Sequence, residues 1–208
     1  MVMALRILGF GLAVLLALST ARASDIILNS DFSDGKTHWH GDGDAPDAGG
    51  KLVITLKPDK WTVVRQNFSA NSASLKLKIT YSFSDDCTLG KNGDALIPPL
   101  TATGLDEACG LDNNIYNVTL DSKWDLWTVI LVSGGTLISE YPIYTNNYGG
   151  TYRGYGSQNT TDATGNQTFT TQLKQWDNQF ISDDLCLCFP PGQGTVTLTD
   201  VEITPPGQ

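Results

Sequence analysis

The stretch Thr195-Val196-Thr197-Leu198-Thr199-Asp200-Val201-Glu202-Ile203 decides the fold, because it is one long strand with a single irregularity. Val196 and Leu198 share one phase of the alternation, whereas Val201 and Ile203 share the other. Successive side chains of a strand point to opposite faces, so this slip of one residue would expose half of the apolar set. A β-bulge at Asp200 returns both pairs to one buried face, and we expect a bulge there.

The same period of two recurs along the chain. Its clearest instance is Leu75 to Phe83, where apolar residues alternate with lysine, threonine and serine. Further strands are predicted at 52–56, 61–68, 116–120, 126–132, 168–173 and 185–189. No segment has the 3.6-residue period of an amphipathic helix. Short strands separated by glycine and asparagine predict an all-β fold, a jelly-roll β-sandwich of two antiparallel sheets.

The amino-terminal segment has the form of a secretory signal. Residues Met1 to Ala23 combine Arg6, an apolar run from Ile7 to Leu18, and an A-x-A pattern that ends at Ala23. The apolar run is shorter than the roughly 20 residues that a membrane-spanning helix needs. We therefore expect residues 1–23 to be removed, residues 24–204 to form one domain and residues 205–208 to be a tail. The protein is predicted to be secreted or extracytoplasmic, with no membrane span.

The charge of the chain bears on its partners. There are 22 acidic and 13 basic residues, a net charge of −9. An acidic surface repels phosphate backbones, and no basic stripe offsets it, so nucleic acid is not an expected partner.

Four cysteines predict two disulfides in an exported chain, with three possible connectivities: Cys87, Cys109, Cys186 and Cys188. Cys186 and Cys188 are two residues apart in a predicted strand, about 6.6 Å, so a bond between them would be strained. We favour a link from each of these to Cys87 or Cys109. The competing arrangement joins Cys87 to Cys109.

The two ends of the domain resemble a known family. Asn29-Ser30-Asp31-Phe32-Ser33-Asp34-Gly35, followed by Trp39, is similar to the N-G-D-F-E-x-G…W opening of galactose-binding-domain-like jelly rolls, which include many carbohydrate-binding modules. Segments 52–56 and 61–68 resemble their second and third strands, and 197–203 resembles their closing strand. The resemblance implies the same fold and a polysaccharide or glycan as the partner. The resemblance is weak from Cys87 to Gln167.

The resemblance also implies a structural calcium ion that ties the first strand to the last. Carboxylates and backbone carbonyls are the ligands that this hard cation requires. By position, the ligands in this sequence would be Asp31, Asp34 and Asp200. Ser33 replaces the acidic residue that the family has after phenylalanine. The alternative is that Asp31 caps a turn and Asp200 only occupies the bulge.

Aromatic residues are the expected sugar-binding groups, because the C–H faces of sugars stack on flat rings. The candidates lie mostly in one tyrosine-rich stretch: Tyr141, Tyr144, Tyr148, Tyr152, Arg153 and Tyr155, with Trp124 nearby. The alternative is a long hairpin whose rings cover the edge of the sandwich. Trp127 shares a phase with Val129 and Leu131, so we expect it in the core.

Two other classes of function remain open. No catalytic motif is present, and only three glutamates follow the signal segment, so an enzyme is not the expected class; a glycan-degrading enzyme would need a pair of carboxylates. A cell-surface structural or adhesion protein with no small ligand is the other alternative.

Overall fold

The computed structural model describes residues 25–43, 49–70, 72, 74–89, 126–133, 136–144, 158–174 and 183–205. Within these ranges all regular structure is β, as predicted. The strands are β1 His40–Gly41, β2 Leu52–Thr55, β3 Thr62–Phe68, β4 Ser74–Phe83, β5 Thr88–Leu89, β6 Leu126–Ser133, β7 Thr136–Tyr144, β8 Gln158–Thr161, β9 Gln167–Lys174, β10 Asp183–Phe189, β11 Gly192–Gln193 and β12 Thr195–Thr204.

Two five-stranded sheets make the sandwich. The front sheet has the order β1-β3-β10-β6-β7 and the back sheet the order β2-β12-β4-β9-β8; β11 and β5 form a small third sheet. Every pairing in the front and back sheets is antiparallel. The predicted all-β sandwich of two antiparallel sheets is therefore confirmed.

The last strand has the predicted irregularity. β12 pairs with β4 from Val196 to Thr204, and the register shifts between Leu198 and Asp200. Val196, Leu198, Val201 and Ile203 are all fully buried. The bulge thus keeps four apolar side chains on one face of a strand that lies between β2 and β4.

The core lies between the sheets and contains the aromatic residues expected there. Trp127 is the largest fully buried side chain; its ring stacks on Phe189 at 4.7 Å and meets Tyr81 edge-on at 5.1 Å. Phe32 and Trp39 from the opening segment join the same core cluster, 5.3 Å apart. The two aromatic rings of the opening motif are therefore part of the core.

The opening segment runs beside the closing strand. Val201 N–H donates to the Ser30 carbonyl at 2.9 Å, and Ile26 N–H donates to the Ile203 carbonyl at 2.8 Å. On its other side the segment meets β3, where the Gln66 carboxamide accepts from Leu28 N–H at 2.7 Å and donates to the Leu28 carbonyl at 2.9 Å. The buried side chain of Gln66 therefore makes the two hydrogen bonds to the Leu28 backbone that a neighbouring strand would otherwise make.

Some predictions fall elsewhere in the chain. The signal segment, the strand at 116–120 and the tail from 206 lie outside the described residues. β7 and β8, which form edges of the two sheets, were not predicted. None of the elements that the structure describes is a helix long and apolar enough to span a membrane.

Candidate functional site

The junction of the two chain ends gathers three carboxylates. Asp25 begins the opening segment, and its Oδ1 accepts hydrogen bonds from Ile27 N–H and Ile203 N–H, each at 3.1 Å. Its other oxygen, Oδ2, is buried and accepts no hydrogen bond from a described residue. The sequence reasoning missed Asp25, although the apolar run Ile26-Ile27-Leu28 that follows it could have indicated a strand-like start.

Asp200 and Glu202 supply the other two carboxylates from β12. Lys78 on the adjacent β4 reaches both, with Nζ 2.9 Å from Asp200 Oδ2 and 3.4 Å from Glu202 Oε1. Asp200 Oδ1 is buried and, like Asp25 Oδ2, accepts no hydrogen bond within the described part of the chain. The bulge thus directs Asp200 toward a single ammonium group.

Burial and mutual repulsion shift the acid–base behaviour of these groups. Burial raises the pKa of Asp25, against the effect of the Ser30 hydroxyl and two backbone N–H donors, and the charge of Asp200 raises it further. Burial also raises the pKa of Asp200, although Lys78 opposes the shift. Burial alone would lower the pKa of Lys78, but the hydrogen bonds and charges of Asp200 and Glu202 outweigh it, so this pKa is raised.

We expect Lys78→Met to lower stability by about 1 kcal/mol at pH 7, because the lysine is partly exposed and its ion pairs are screened. The raised pKa of Lys78 means that its contribution is present at neutral pH and is lost only as pH rises through that value. Without the ammonium, the pKa of Asp200 climbs further, so its protonation should remove most of the loss at acidic pH.

Urea unfolding at both pH values measures this difference. Lys76→Met is the matched control, since Lys76 lies two residues away on the same strand and is exposed. An equal loss at the two pH values would contradict the assigned role of Asp200.

The structure describes the surroundings of the three predicted calcium ligands. Asp31 Oδ1 accepts from Ser33 N–H at 3.1 Å, which is a turn contact, and Asp34 is exposed. Asp200 occupies the bulge and pairs with Lys78. In the described ranges no three His, Cys, Asp or Glu side chains form a group that could hold a metal ion. The calcium ion and its three ligands therefore stay a prediction.

A second polar cluster lies on the front sheet, on the face directed away from the core. Arg65 of β3 pairs with Asp184 of β10, with Nη1 3.5 Å from Oδ1, and their side chains are 27% and 20% exposed. His40 is in register with Arg65, and Asn67 is in register with Asp184. We call His40, Arg65, Asn67 and Asp184 the polar strip.

The strip borders a group of buried, mostly apolar side chains on the same face. Val63, Thr128, Ile130, Cys186 and Cys188 are at most 1% exposed, and none of them belongs to the core cluster. Trp61, at 9% exposed, precedes Val63 by two residues and is likewise outside that cluster. The face thus combines an aromatic residue, buried apolar groups and partly exposed hydrogen-bonding groups.

The structure describes only some of the residues that were predicted to bind sugar. Tyr141 is 4% exposed and belongs to the core cluster, in register with Val129, so its ring is not part of an exposed surface. Trp127 is in the core, as predicted. Tyr144 is the last residue of β7. Trp124, Tyr148, Tyr152, Arg153 and Tyr155 lie outside the described residues.

No disulfide joins two of the described cysteines. Cys186 and Cys188 lie on one face of β10, the face opposite to Leu185 and Leu187, as the strand period predicts. Cys87 instead packs against the core cluster, and burial raises the pKa of its thiol to about 11. The favoured links from Cys87 to the β10 thiols are thus absent here, because the strand directs those thiols away from the core. Cys109 lies outside the described residues.

Comparison with known proteins gives similarities in fold. No protein-family model and no curated protein matches the chain. Among solved structures, a carbohydrate-binding module, TmCBM61, in complex with β-1,4-galactotriose is 8% identical, covering 86% of this chain and 97% of that one, with a TM-score of 0.43. A non-crystalline-cellulose-specific module, CBM28, is 12% identical, covering 88% and 96%, with a TM-score of 0.42.

A third solved structure belongs to another class of protein. The enzymatically active domain of bacteriophage CBA120 tailspike protein 4 is 7% identical, covering 86% of this chain and 21% of that one, with a TM-score of 0.46. Because identities and TM-scores are this low, the inference about function is built on the residues of this chain.

Proposed function

We propose that this protein is an exported, non-catalytic carbohydrate-binding module and that the polar strip on the front sheet is part of its binding surface. The observation that carries the proposal is the Arg65–Asp184 pair, partly exposed on a sheet face beside the Asn67 carboxamide. A guanidinium, a carboxylate and an amide are the donors and acceptors that read sugar hydroxyls. Strands hold such groups more rigidly than loops do.

The apolar part of a sugar needs a flat partner. Trp61, directly before the strand of Arg65, lies outside the core cluster but is only 9% exposed, so it borders the strip without presenting an open ring. The tyrosine-rich stretch follows directly after β7, the other edge strand of the front sheet. We keep Tyr144, Tyr148, Tyr152, Tyr155, Arg153 and Trp124 as the proposed stacking and contact residues.

We expect affinity electrophoresis in gels that contain galactan, mannan or soluble cellulose derivatives to retard the protein on at least one of them. Arg65→Gln should then weaken retention tenfold or more, since a hydrogen bond to a charged group contributes about 1.5–3 kcal/mol. Tyr148→Ala combined with Tyr152→Ala should weaken it independently. Lys76→Gln, which changes an exposed charge on the back sheet, is the control and should leave retention unchanged.

The other classes of function give different results. Absence of retention on every polysaccharide, together with self-association, is the outcome expected of an adhesion protein and would contradict the proposal. Glu140 is one of the three glutamates that follow the signal segment. Release of reducing sugar that disappears in Glu140→Gln would instead place the protein among glycan-degrading enzymes.

A further inference from the structure

The ion pair in the polar strip is held diagonally across two strands. Arg65 of β3 is in register with Cys186, whereas Asp184 of β10 is in register with Asn67. The distance from Arg65 Nη1 to Asp184 Oδ1 is 3.5 Å. A charge-assisted hydrogen bond is about 2.7–2.9 Å long, and a bidentate pair has two of them in parallel. The diagonal placement therefore keeps the two charged groups side by side without closing them into a bidentate pair.

The two groups have opposite hydrogen-bonding chemistry. A guanidinium only donates hydrogen bonds and an ionised carboxylate only accepts them, whereas a hydroxyl group does both. A hydroxyl placed between the two can accept from Arg65 and donate to Asp184. Two hydroxyls on neighbouring carbons can do so in parallel, each accepting from one N–H of the guanidinium and donating to one oxygen of the carboxylate. The pair thus matches two adjacent hydroxyls better than one.

Charge and exposure narrow the ligand further. The side chains of Arg65 and Asp184 are 27% and 20% exposed, so a ligand can reach both from solvent. Their charges cancel, and an anionic ligand that is attracted by Arg65 is repelled by Asp184 beside it. A ligand that displaces water from both groups and bonds only one leaves the other without a partner, which is unfavourable. These conditions favour a neutral ligand that bonds both groups at once.

We propose that the Arg65–Asp184 pair binds a vicinal diol of a neutral sugar and thereby selects glycans by their linkage; the inference rests on the proposed function. Each internal unit of a 1,4-linked hexopyranose chain has free hydroxyls on the neighbouring carbons C2 and C3. In a 1,3-linked chain the free hydroxyls are on C2, C4 and C6, and no two of these carbons are neighbours. The pair therefore accepts internal units of 1,4-linked chains and rejects those of 1,3-linked chains.

The test compares linear polymers of one sugar that differ in linkage. The probes are β-1,4-galactan against β-1,3-galactan and soluble fragments of β-1,4-glucan against those of β-1,3-glucan, each cast into an affinity gel. For at least one sugar we expect the 1,4-linked polymer to be bound about tenfold or more tightly than the 1,3-linked one. The reason is that a site built to bond a substrate hydroxyl discriminates against a ligand that leaves its polar groups unpaired.

The path of a glycan chain also changes with its linkage, so a second probe keeps the linkage constant. Methylation of O2 and O3 in the retained 1,4-linked polymer removes both O–H donors of the diol and leaves the backbone of the polymer intact. We expect this derivative to lose about tenfold or more in affinity. Methylation of O6 alone is the matched control and should change affinity by less than about twofold.

Two variants assign the selectivity to the pair. Arg65→Lys keeps the positive charge but replaces the planar fork by a single ammonium, and Asp184→Asn keeps one acceptor oxygen but removes the negative charge. Each should bring the ratio of affinities for the 1,4-linked and 1,3-linked polymers close to one. If chain path alone caused the selectivity, the variants would weaken both polymers alike and leave the ratio unchanged. The methylated polymer tests the diol on the unaltered protein, so the result does not depend on the folding of either variant.

The results separate the inference from the function on which it rests. Equal retention by the 1,4-linked and 1,3-linked polymers, full retention by the 2,3-O-methylated polymer, or an unchanged ratio in Arg65→Lys would each overturn the diol assignment and leave carbohydrate binding in place. Absence of retention on every polymer would overturn the proposed function, and the diol assignment with it.

Discussion

Replacement of Trp127 by alanine should remove about 3–5 kcal/mol of stability, the largest loss that we expect from a single side chain. Trp127 is the largest fully buried residue and connects the layers, since it stacks on Phe189 of its own sheet and meets Tyr81 of the other sheet edge-on. Its removal takes away both the buried apolar surface and the two aromatic contacts. The surrounding strands cannot collapse into the space, because both sheets are held by their hydrogen bonds.

Guanidinium chloride unfolding followed by circular dichroism measures the loss as a lower midpoint at an unchanged slope. In thermal unfolding the midpoint should fall by on the order of 10 °C. Trp127→Phe is the matched control: it keeps an aromatic ring in the cluster and should cost less than half as much. A loss below about 1 kcal/mol for the alanine variant would mean that the two sheets do not pack around this ring.

Replacement of Gln66 by methionine should cost about 2–4 kcal/mol, because it leaves both backbone groups of Leu28 without their partner. Gln66 is 2% exposed, and its carboxamide is the link that holds the opening segment to β3. Methionine has a similar length and no hydrogen-bonding group of comparable strength, so the change isolates the two hydrogen bonds from the packing. The estimate stays moderate because Leu28 is 55% exposed and water can reach its backbone.

Gln66→Glu separates the donor from the acceptor. At pH 7 the buried carboxylate can accept from Leu28 N–H but cannot donate to the Leu28 carbonyl, and its burial is itself unfavourable. Burial raises the pKa of such a group, so stability is regained as pH falls through that value, when the protonated side chain can again donate and accept. Gln172→Met, at an exposed position of β9, is the control. A loss of stability in Gln66→Glu that does not depend on pH would contradict the two hydrogen bonds assigned between the Gln66 side chain and the Leu28 backbone.

The fold could be predicted from sequence wherever one face of a strand is buried and the other is exposed to solvent. The alternation from Leu75 to Phe83 correctly predicted β4, and the change of phase at Asp200 correctly predicted the bulge. Both predictions held because the alternating apolar side chains are the ones that the strand buries. β7 was missed for a definite reason. It contains Pro142, which weakens a strand prediction, yet β7 is an edge strand, where a missing N–H is tolerated.

β8 was missed for a different reason. Gln158-Asn159-Thr160-Thr161 has no apolar alternation and is exposed throughout, so pairing with β9 alone makes it a strand. The pattern of residues within β8 gives no information about its pairing with β9.

The site was less predictable than the fold. The sequence indicated the meeting of the two chain ends and placed Asp200 there, but it indicated neither the ion pair of Asp200 with Lys78 nor the like charge of Asp25 nearby. Register between β12 and β4 decides the ion pair, and the path of the opening segment brings Asp25 near; neither is local in sequence. The polar strip is likewise a product of register, since Arg65 and Asp184 are distant in the chain.

The position of β12 has a consequence for the order of events during biosynthesis. This strand occupies the second place in the back sheet, and it also forms hydrogen bonds with residues at the opposite end of the chain; one of them runs from Ile203 N–H to the Asp25 carboxylate. The back sheet therefore cannot assemble while the ribosome still holds the final ten residues of the domain. Contacts between such remote positions make folding slow, since the long loop must close before any of them forms. A polypeptide that stays unfolded until its synthesis is complete is in a suitable state to be threaded through a narrow translocation channel.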